Sequence, residues 1–597
     1  MKFSTLAEIY GKLDATSKRL EMIDILMDLF QKTSADDMQI VIYLTSGKIA
    51  ADYNDIELGF ADKMVIKAIA KAVGKSEDDV TELFKRKGDL GEVVQELKSN
   101  TGQQNLGVFF GASASINQSN LTVHEVWETL IKIAQLEGKG SSSKKMNYLI
   151  GLFSKSSALE AKYITRIILS QLRLGVKDLT IIEALSRKFG SGDEKSRELI
   201  EHAYNVTSDI GLIGETLAKK GLSGIKQIGI TVGVPIRMMA AQRMSTSEEI
   251  LEKLGGSCAL EFKYDGERVQ AHISKHKILL YSRNLNEISS MYPDVIEALK
   301  GAITTNDVIV EGEITAWDLE TEKLKPFQIL MSRKRKYEIN DAIERVPVRV
   351  FLFDILYKDG ISLLNKSYPE RRKILESIIK ENNIIVLSSR EIVKATDEFE
   401  RFFELAIESG CEGIMAKDIR ENSTYQAGNR GFLWIKHKFD YTSSFNDSYD
   451  FVVVGGFYGK GRRKGTIGTI LLAAFNPEEE RYETVCKLGS GFSDDDLNKI
   501  TEDLMKIKVL EKPKDVFSRM DADIWFYPST VYEIRGADLS TSPIHTCGMD
   551  EIKKDVGIAI RFPRFIRFRD AKAPEQATTT KEVIDAYKKQ RLLAHDV

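Results

Sequence analysis

The sequence has only four cysteines, no proline before residue 235, no long apolar run and almost no net charge. Cys258, Cys411, Cys486 and Cys547 are far apart and form no C-x-x-C pair, which excludes a zinc ribbon or a disulfide framework and predicts buried structural thiols. No stretch approaches the roughly 18–20 apolar residues of a membrane span, and MKFSTLAEIYGKLD lacks the apolar segment of a signal peptide. A cytoplasmic chain without membrane contact is expected. With 85 Lys and Arg against 88 Asp and Glu, any affinity for nucleic acid must come from local basic surfaces.

All 11 prolines lie at or after Pro235. Proline breaks helix interiors but suits turns and edge strands, so residues 1–230 are expected to form an all-α domain. Leu20, Ile23, Met27 and Phe30 recur there at helical spacing, and Ser157 with Glu160 makes a capping box opening a pattern that stops at Gly175. Residues 231–441 alternate short β-rich runs (ALEFKYDGERVQAHI, DVIVEGEITAW, VRVFLFDILY, GFLWIKHK) with helical stretches such as PDVIEALKGAI, which predicts an α+β domain. Residues 442–597 carry strands separated by glycine-rich turns, as in DFVVVGGFYGKGRRKGTIGTILLAAFN, and predict a small β-barrel.

The sharpest local signal is Lys263-Tyr-Asp-Gly-Glu-Arg268. LEFKY reads as a strand whose period of two places Glu261 and Lys263 on one face, with Asp265-Gly266 turning the chain behind them. A lysine attacks only when neutral, so Lys263 is expected to have its pKa lowered by burial and by neighbouring cations such as Arg268, Lys436, Lys438 or a metal. The lysines of WIKHK alternate onto one strand face.

Further motifs follow in order: Arg283 in LYSRN, Glu313 in VEGEI, Phe353 in FLFDIL, Glu412 in EGIMAK, Arg430 in GNRGFLWIKHK with Lys436 and Lys438, and the terminal RFPRFIRFRDAK. With PIRMMAAQR before them and ATTTKEVIDAYKKQ at the end, these resemble the ATP-dependent DNA ligases of archaeal and eukaryotic replicative type, within the covalent nucleotidyltransferase superfamily. The resemblance implies a helical DNA-binding domain, an adenylation domain and an OB-fold domain, in a monomer that seals nicks in duplex DNA during replication, repair and recombination. It makes Lys263 the nucleophile, carrying AMP from ATP; use of ADP or a mixture of nucleotides stays open. Glu261 and Phe353 would hold adenine, with Phe351 the competing choice for the stacking ring. Glu313 would approach the ribose, and Arg268, Arg283 and Arg430 the ribose or phosphates. Lys436 and Lys438 would meet phosphate, and Glu412 would bind Mg²⁺ or another divalent cation, with Glu313 or Asp265 as possible partners. Arg561 and Lys572 are the candidates for the pyrophosphate side.

Basic surface is expected in GKGRRKGTIG around Arg462 and Arg463, in MSRKRKYE from Arg333 to Lys336, and in GKGSSSKK from Gly138 to Lys145. Gln103, Leu106, Phe109 and Phe110 space out as Q-x-x-L-x-x-F-F, resembling the box by which replication proteins bind the sliding clamp. An RNA ligase or capping enzyme would share the lysine chemistry, but the long helical region before it favours a DNA ligase. The lack of clustered cysteines disfavours an NAD-dependent one.

Overall fold

Among the described residues no strand precedes Ala240–Arg243, and the proline-free stretch is a succession of helices. The computed structural model describes residues 1–106, 119–333, 343–438, 448–459 and 463–593, apart from positions 55, 57, 139, 537 and 571. The helix Arg19–Lys32 buries Met22, Ile23, Leu26, Leu29 and Phe30. Its apolar stripe is thus rotated from the expected one, and Leu20 is 65% exposed. The capping box is present: Ser157 Oγ accepts the Glu160 N–H, and Glu160 accepts the Ser157 N–H at 2.7 Å. That helix, Ala158–Ile168, ends before Gly175 because Ser170 and Arg173 take left-handed φ of 53° and 56°.

The chain groups into two compact units, Met1–Ala68 with Gly102–Ser443, and Ile69–Thr101 with Ser444–Val597. The stretch 233–239 is hydrogen-bonded both to the helical region and to the strand-bearing region that follows it, and Glu92 forms an ion pair with Lys464 at 3.2 Å.

In the first unit the strands are β1 (Ala240–Arg243), β2 (Cys258–Lys263), β3 (Glu267–Ile273), β4 (Ile278–Ser282), β5 (Val308–Asp318), β6 (Lys323–Lys325), β7 (Val348–Lys358), β8 (Ile361–Ser362), β9 (Ile385–Leu387), β10 (Arg390–Val393), β11 (Gly413–Lys417) and β12 (Arg430–Lys438). One sheet has the order β1-β12-β11-β2-β10; the other runs β4-β3-β5-β7-β8, with β6 on β5 and β9 on β7. Leu260, Ile414, Ala416 and Ile435 of the first sheet pack on Phe399, Phe402 and Phe403 of the helix Thr396–Glu408. Alternation then leaves the opposite face of β2, β11 and β12 for polar groups.

In the second unit β13 (Ser448–Tyr458), β14 (Ile467–Asn476) and β15 (Arg481–Leu488) form an antiparallel run, and Val531–Arg535 joins β13 to Arg564–Phe568. The core includes Phe451, Val453, Leu472 and Ile534, and takes Val583 and Tyr587 from the helix Thr580–Leu593. This bears out the expected order of helical, α+β and strand-rich regions. All four cysteines are buried and free.

Candidate active site

Strand register assembles the site. β11 lies between β2 and β12, so Gly413 pairs with Lys263 on one side and Lys438 on the other. Gly413 has φ 146°, and a Cβ there would strike the His437 carbonyl oxygen, so only glycine lets the three strands close up. Glu412, one residue earlier, reaches both lysines: its Oε2 is 2.5 Å from Lys263 Nζ and 2.6 Å from Lys438 Nζ. Gly266 is needed for the same kind of reason, since a Cβ there would collide with the Ile314 carbonyl of β5.

The charges around Lys263 correct one expectation. Burial alone would lower its pKa, but Glu412, Glu313 and Asp265 together raise it above the ordinary lysine value. The carboxylates are themselves crowded. Burial, with repulsion from Glu412, pushes Asp265 up to about 6, and burial pushes Glu313 up to about 7. Glu412 goes the other way, to about 2, because the attraction of Lys263 and Lys438 outweighs its burial. Lys436, on the same β12 face as Lys438, has its pKa lowered by burial and by Lys263, Lys438, Arg430 and Arg283. Four of the expected cations therefore lie within electrostatic reach of a fifth, Lys436.

Two residues back on β2, Glu261 is 2% exposed and its charge is fully matched. Lys417 Nζ lies 2.7 Å from its Oε2, while Tyr368 Oη (2.5 Å) and Arg372 Nη1 (3.3 Å) donate to Oε1. Lys417 also stands over the rings of Phe353 (4.8 Å), Tyr368 (4.8 Å) and Trp434 (4.5 Å). Phe353 is half-buried on that side, whereas Phe351 is a core residue stacked on Tyr264 at 3.9 Å. Arg268 pairs with Glu313 across β3 and β5, and its guanidinium lies 5.5 Å from the Phe353 ring. Lys417, Tyr368 and Arg372 were not anticipated. The only sequence signal was a lysine ending the apolar strand of EGIMAK.

Among the described residues no group of three His, Cys, Asp or Glu forms a ready metal cage. The donors nonetheless suit a hard cation that keeps its own waters and substrate phosphates. Mg²⁺ typically takes one or two protein carboxylates, and Asp265, Glu313 and Glu412 are close enough to perturb one another.

Other expected residues lie elsewhere. Lys572 and Arg561 are in the second unit: Lys572 is paired with Asp450 at 2.6 Å, and Arg561 ends a strand beside the Phe562 ring at 5.1 Å. Arg333 is 2% exposed and clamps Asp294 with bonds of 3.0 and 2.7 Å. It is structural, not a surface cation; Lys334 to Lys336 and Arg462 lie outside the described residues. Ser141–Ser143 of the expected basic segment open the helix Ser141–Lys155. The backbone of the helix Leu90–Leu106 runs through Gln103 and Leu106, but their side chains, and Phe109 and Phe110 entirely, lie outside the described residues.

Comparison with known proteins places this geometry. Residues 2–186 match the family described as DNA ligase N terminus, 238–438 the ATP dependent DNA ligase domain, and 463–572 the ATP dependent DNA ligase C terminal region. DNA ligase 2 of Thermofilum pendens is 46% identical, over 100% of this chain and 98% of the relative. The DNA ligase of Saccharolobus solfataricus is 44% identical over 99% and 98%, and a probable DNA ligase of Aquifex aeolicus 45% identical over 99% of each. A solved structure titled Pmar-Lig_Pre covers 94% of this chain and 99% of its own, with TM-score 0.55 and 17% identity, a likeness of fold. On these grounds the chain belongs to the ATP-dependent DNA ligases.

Proposed function

We propose that this ligase seals nicks in duplex DNA through a lysyl-AMP formed on Lys263. The observation that carries the reading is one sheet face holding Lys263, Lys438 and Glu412 in contact, with Lys436 and Glu261 beside them. Lys263 Nζ, after losing a proton, attacks the α-phosphorus of ATP and pyrophosphate leaves. The 5′-phosphate oxygen at the nick then attacks the same phosphorus and releases the lysine. Finally the 3′-hydroxyl attacks the adenylated 5′-phosphate, forming the phosphodiester and expelling AMP.

Phe353 stacks on adenine, at roughly 1–3 kcal/mol with little discrimination between bases. Discrimination falls to Glu261. A carboxylate has about four acceptor positions, and three are taken by Tyr368, Arg372 and Lys417, which leaves one on Oε2 for the adenine amino group. Glu313 meets the ribose; Arg268, Arg283 and Arg430 bind ribose or phosphates; Lys436 and Lys438 bind the α-phosphate. Glu412, with Glu313 or Asp265, would hold a divalent cation, whose charge would neutralise phosphate and offset the carboxylates' grip on the Lys263 proton.

Three functional parts, 1–230 for DNA, 231–441 for adenylation and 442–597 as an OB-fold, fit this cycle, with Arg561 and Lys572 serving the pyrophosphate. Gln103, Leu106, Phe109 and Phe110 tether the enzyme to a sliding clamp, and it acts as a cytoplasmic monomer. The decisive experiment is incubation with α-labelled ATP and Mg²⁺ followed by a denaturing gel. Wild type should retain label on the protein and Lys263→Ala none. Label persisting in the variant would remove Lys263 as nucleophile.

A further inference from the structure

Tyr425 has no role in the scheme above, yet it stands where three parts of the first unit meet. Its hydroxyl donates to Glu311 Oε2 at 2.9 Å and accepts the Met239 N–H at 2.9 Å. Arg268 Nη2 lies 3.4 Å from the same hydroxyl and donates to the same Glu311 oxygen at 2.7 Å, while Nη1 donates to the Met239 carbonyl at 2.7 Å. Glu311 is wholly buried and Tyr425 is 3% exposed. The guanidinium of Arg268 is thereby gripped at both terminal nitrogens, with its carbon 5.5 Å from the Phe353 ring and 5.4 Å from the Trp434 ring. Tyr425 supports Trp434 as well, edge-on at 5.7 Å. One donor of Arg268 stays open: Nε is buried without a hydrogen-bond partner. A buried donor left without an acceptor is unfavourable, and a bound ligand oxygen would complete it.

We propose that Tyr425 is a positioning residue for nucleotide binding, holding Arg268 through Glu311 and Met239 so that Nε faces the nucleotide beside Phe353. The proposal rests on the reading of Arg268 as a nucleotide contact. Arginine has a long, flexible stem, and fixing it in advance removes an entropic cost from binding. Removing the hydroxyl loosens Arg268 before ATP arrives, so the loss appears in ATP binding and not in the chemical step. A tyrosine that merely fills the core would lower stability and leave nucleotide affinity alone.

The test measures KM for ATP and kcat of self-adenylation in the full-length wild type, Tyr425→Phe, Arg268→Ala and the double variant, below all four melting temperatures. Tyr425→Phe should raise KM about fivefold with kcat changed less than about twofold. Arg268→Ala should raise KM further, and the double variant should match Arg268→Ala, because the hydroxyl then has nothing left to position. An unchanged KM in Tyr425→Phe, an effect on kcat alone, or the same fivefold rise in the Arg268→Ala background would overturn the proposal. An unchanged KM in Arg268→Ala would instead remove the reading of Arg268 itself, and the role of Tyr425 with it. If Tyr425→Phe melts too low to assay, Glu311→Gln replaces it in the same cycle, with the same outcomes deciding.

Discussion

Glu261 and Lys263 project from the same face of one strand, two residues apart, into opposite electrostatic surroundings. Glu261 is enclosed by Lys417, Arg372 and Tyr368, and its charge is balanced within the protein. Lys263 faces Glu412, Glu313 and Asp265, and burial, with repulsion among them, leaves two of them with raised pKa values. A balanced buried cluster is rigid and reads a ligand's shape. A cluster with surplus carboxylate invites a cation and can change state as phosphates arrive and leave. In the proposed scheme, specificity and chemistry are thus separated by about 7 Å along a single strand.

The largest effect should come from breaking the balanced side. Lys417→Met keeps most of the volume but leaves Glu261 with an uncompensated share of buried charge, at a cost of about 3 kcal/mol. Pairing it with Glu261→Gln should recover much of that loss, because the unmatched charge is then removed. Urea unfolding monitored by tryptophan fluorescence reads both; a double variant as unstable as the single would mean that packing, not charge, sets the cost.

A smaller effect is expected on the surplus side. Glu412→Gln removes the carboxylate that bridges Lys263 and Lys438. The Mg²⁺ concentration giving half-maximal self-adenylation should rise at least about tenfold, and the melting temperature should fall, because Lys263 and Lys438 lose the carboxylate they share. A normal Mg²⁺ requirement in this variant would move the cation to Glu313 and Asp265.

How much of this was legible in the sequence follows the same division. The absence of proline announced the helices, and strand period two put Glu261 with Lys263 and Lys436 with Lys438. Those are local patterns. Lys417, Arg372, Tyr368 and Tyr425 escaped because strand adjacency and helix packing bring them to the pocket from more than a hundred residues away. Lys417, for example, pairs with Ala259 and meets Glu261 only as a diagonal neighbour across β11 and β2. The raised pKa of Lys263 escaped for a related reason. Sequence showed the cations near the motif, but three-dimensional distance decided that the carboxylates outweigh them. Arg333 failed in the opposite sense: a basic run looks like surface until Asp294 and the Val346 carbonyl are found around its guanidinium.

The finest contrast is in pH. Asp265 and Glu313 rise from ordinary values of 3.8 and 4.5 to about 6 and about 7, so the folded protein holds protons there that the unfolded chain has released. Their contribution to stability is therefore full below about pH 4 and is lost as pH rises through 6 to 7, when both must ionise side by side. Glu412, lowered to about 2, contributes above its ordinary 4.5 and fails only in stronger acid. A divalent cation bound to the ionised pair restores what rising pH removes, whereas at lower pH it must compete with protons for the same oxygens. The thermal shift produced by a fixed Mg²⁺ concentration should accordingly be about 1–2 °C larger at about pH 7.5 than at about pH 5.5. Glu313→Gln should reduce that difference, since it removes one of the two carboxylates that ionise within the interval. Equal shifts at the two pH values in the wild type would mean that these carboxylates do not share the cation, and that Glu412 binds it alone.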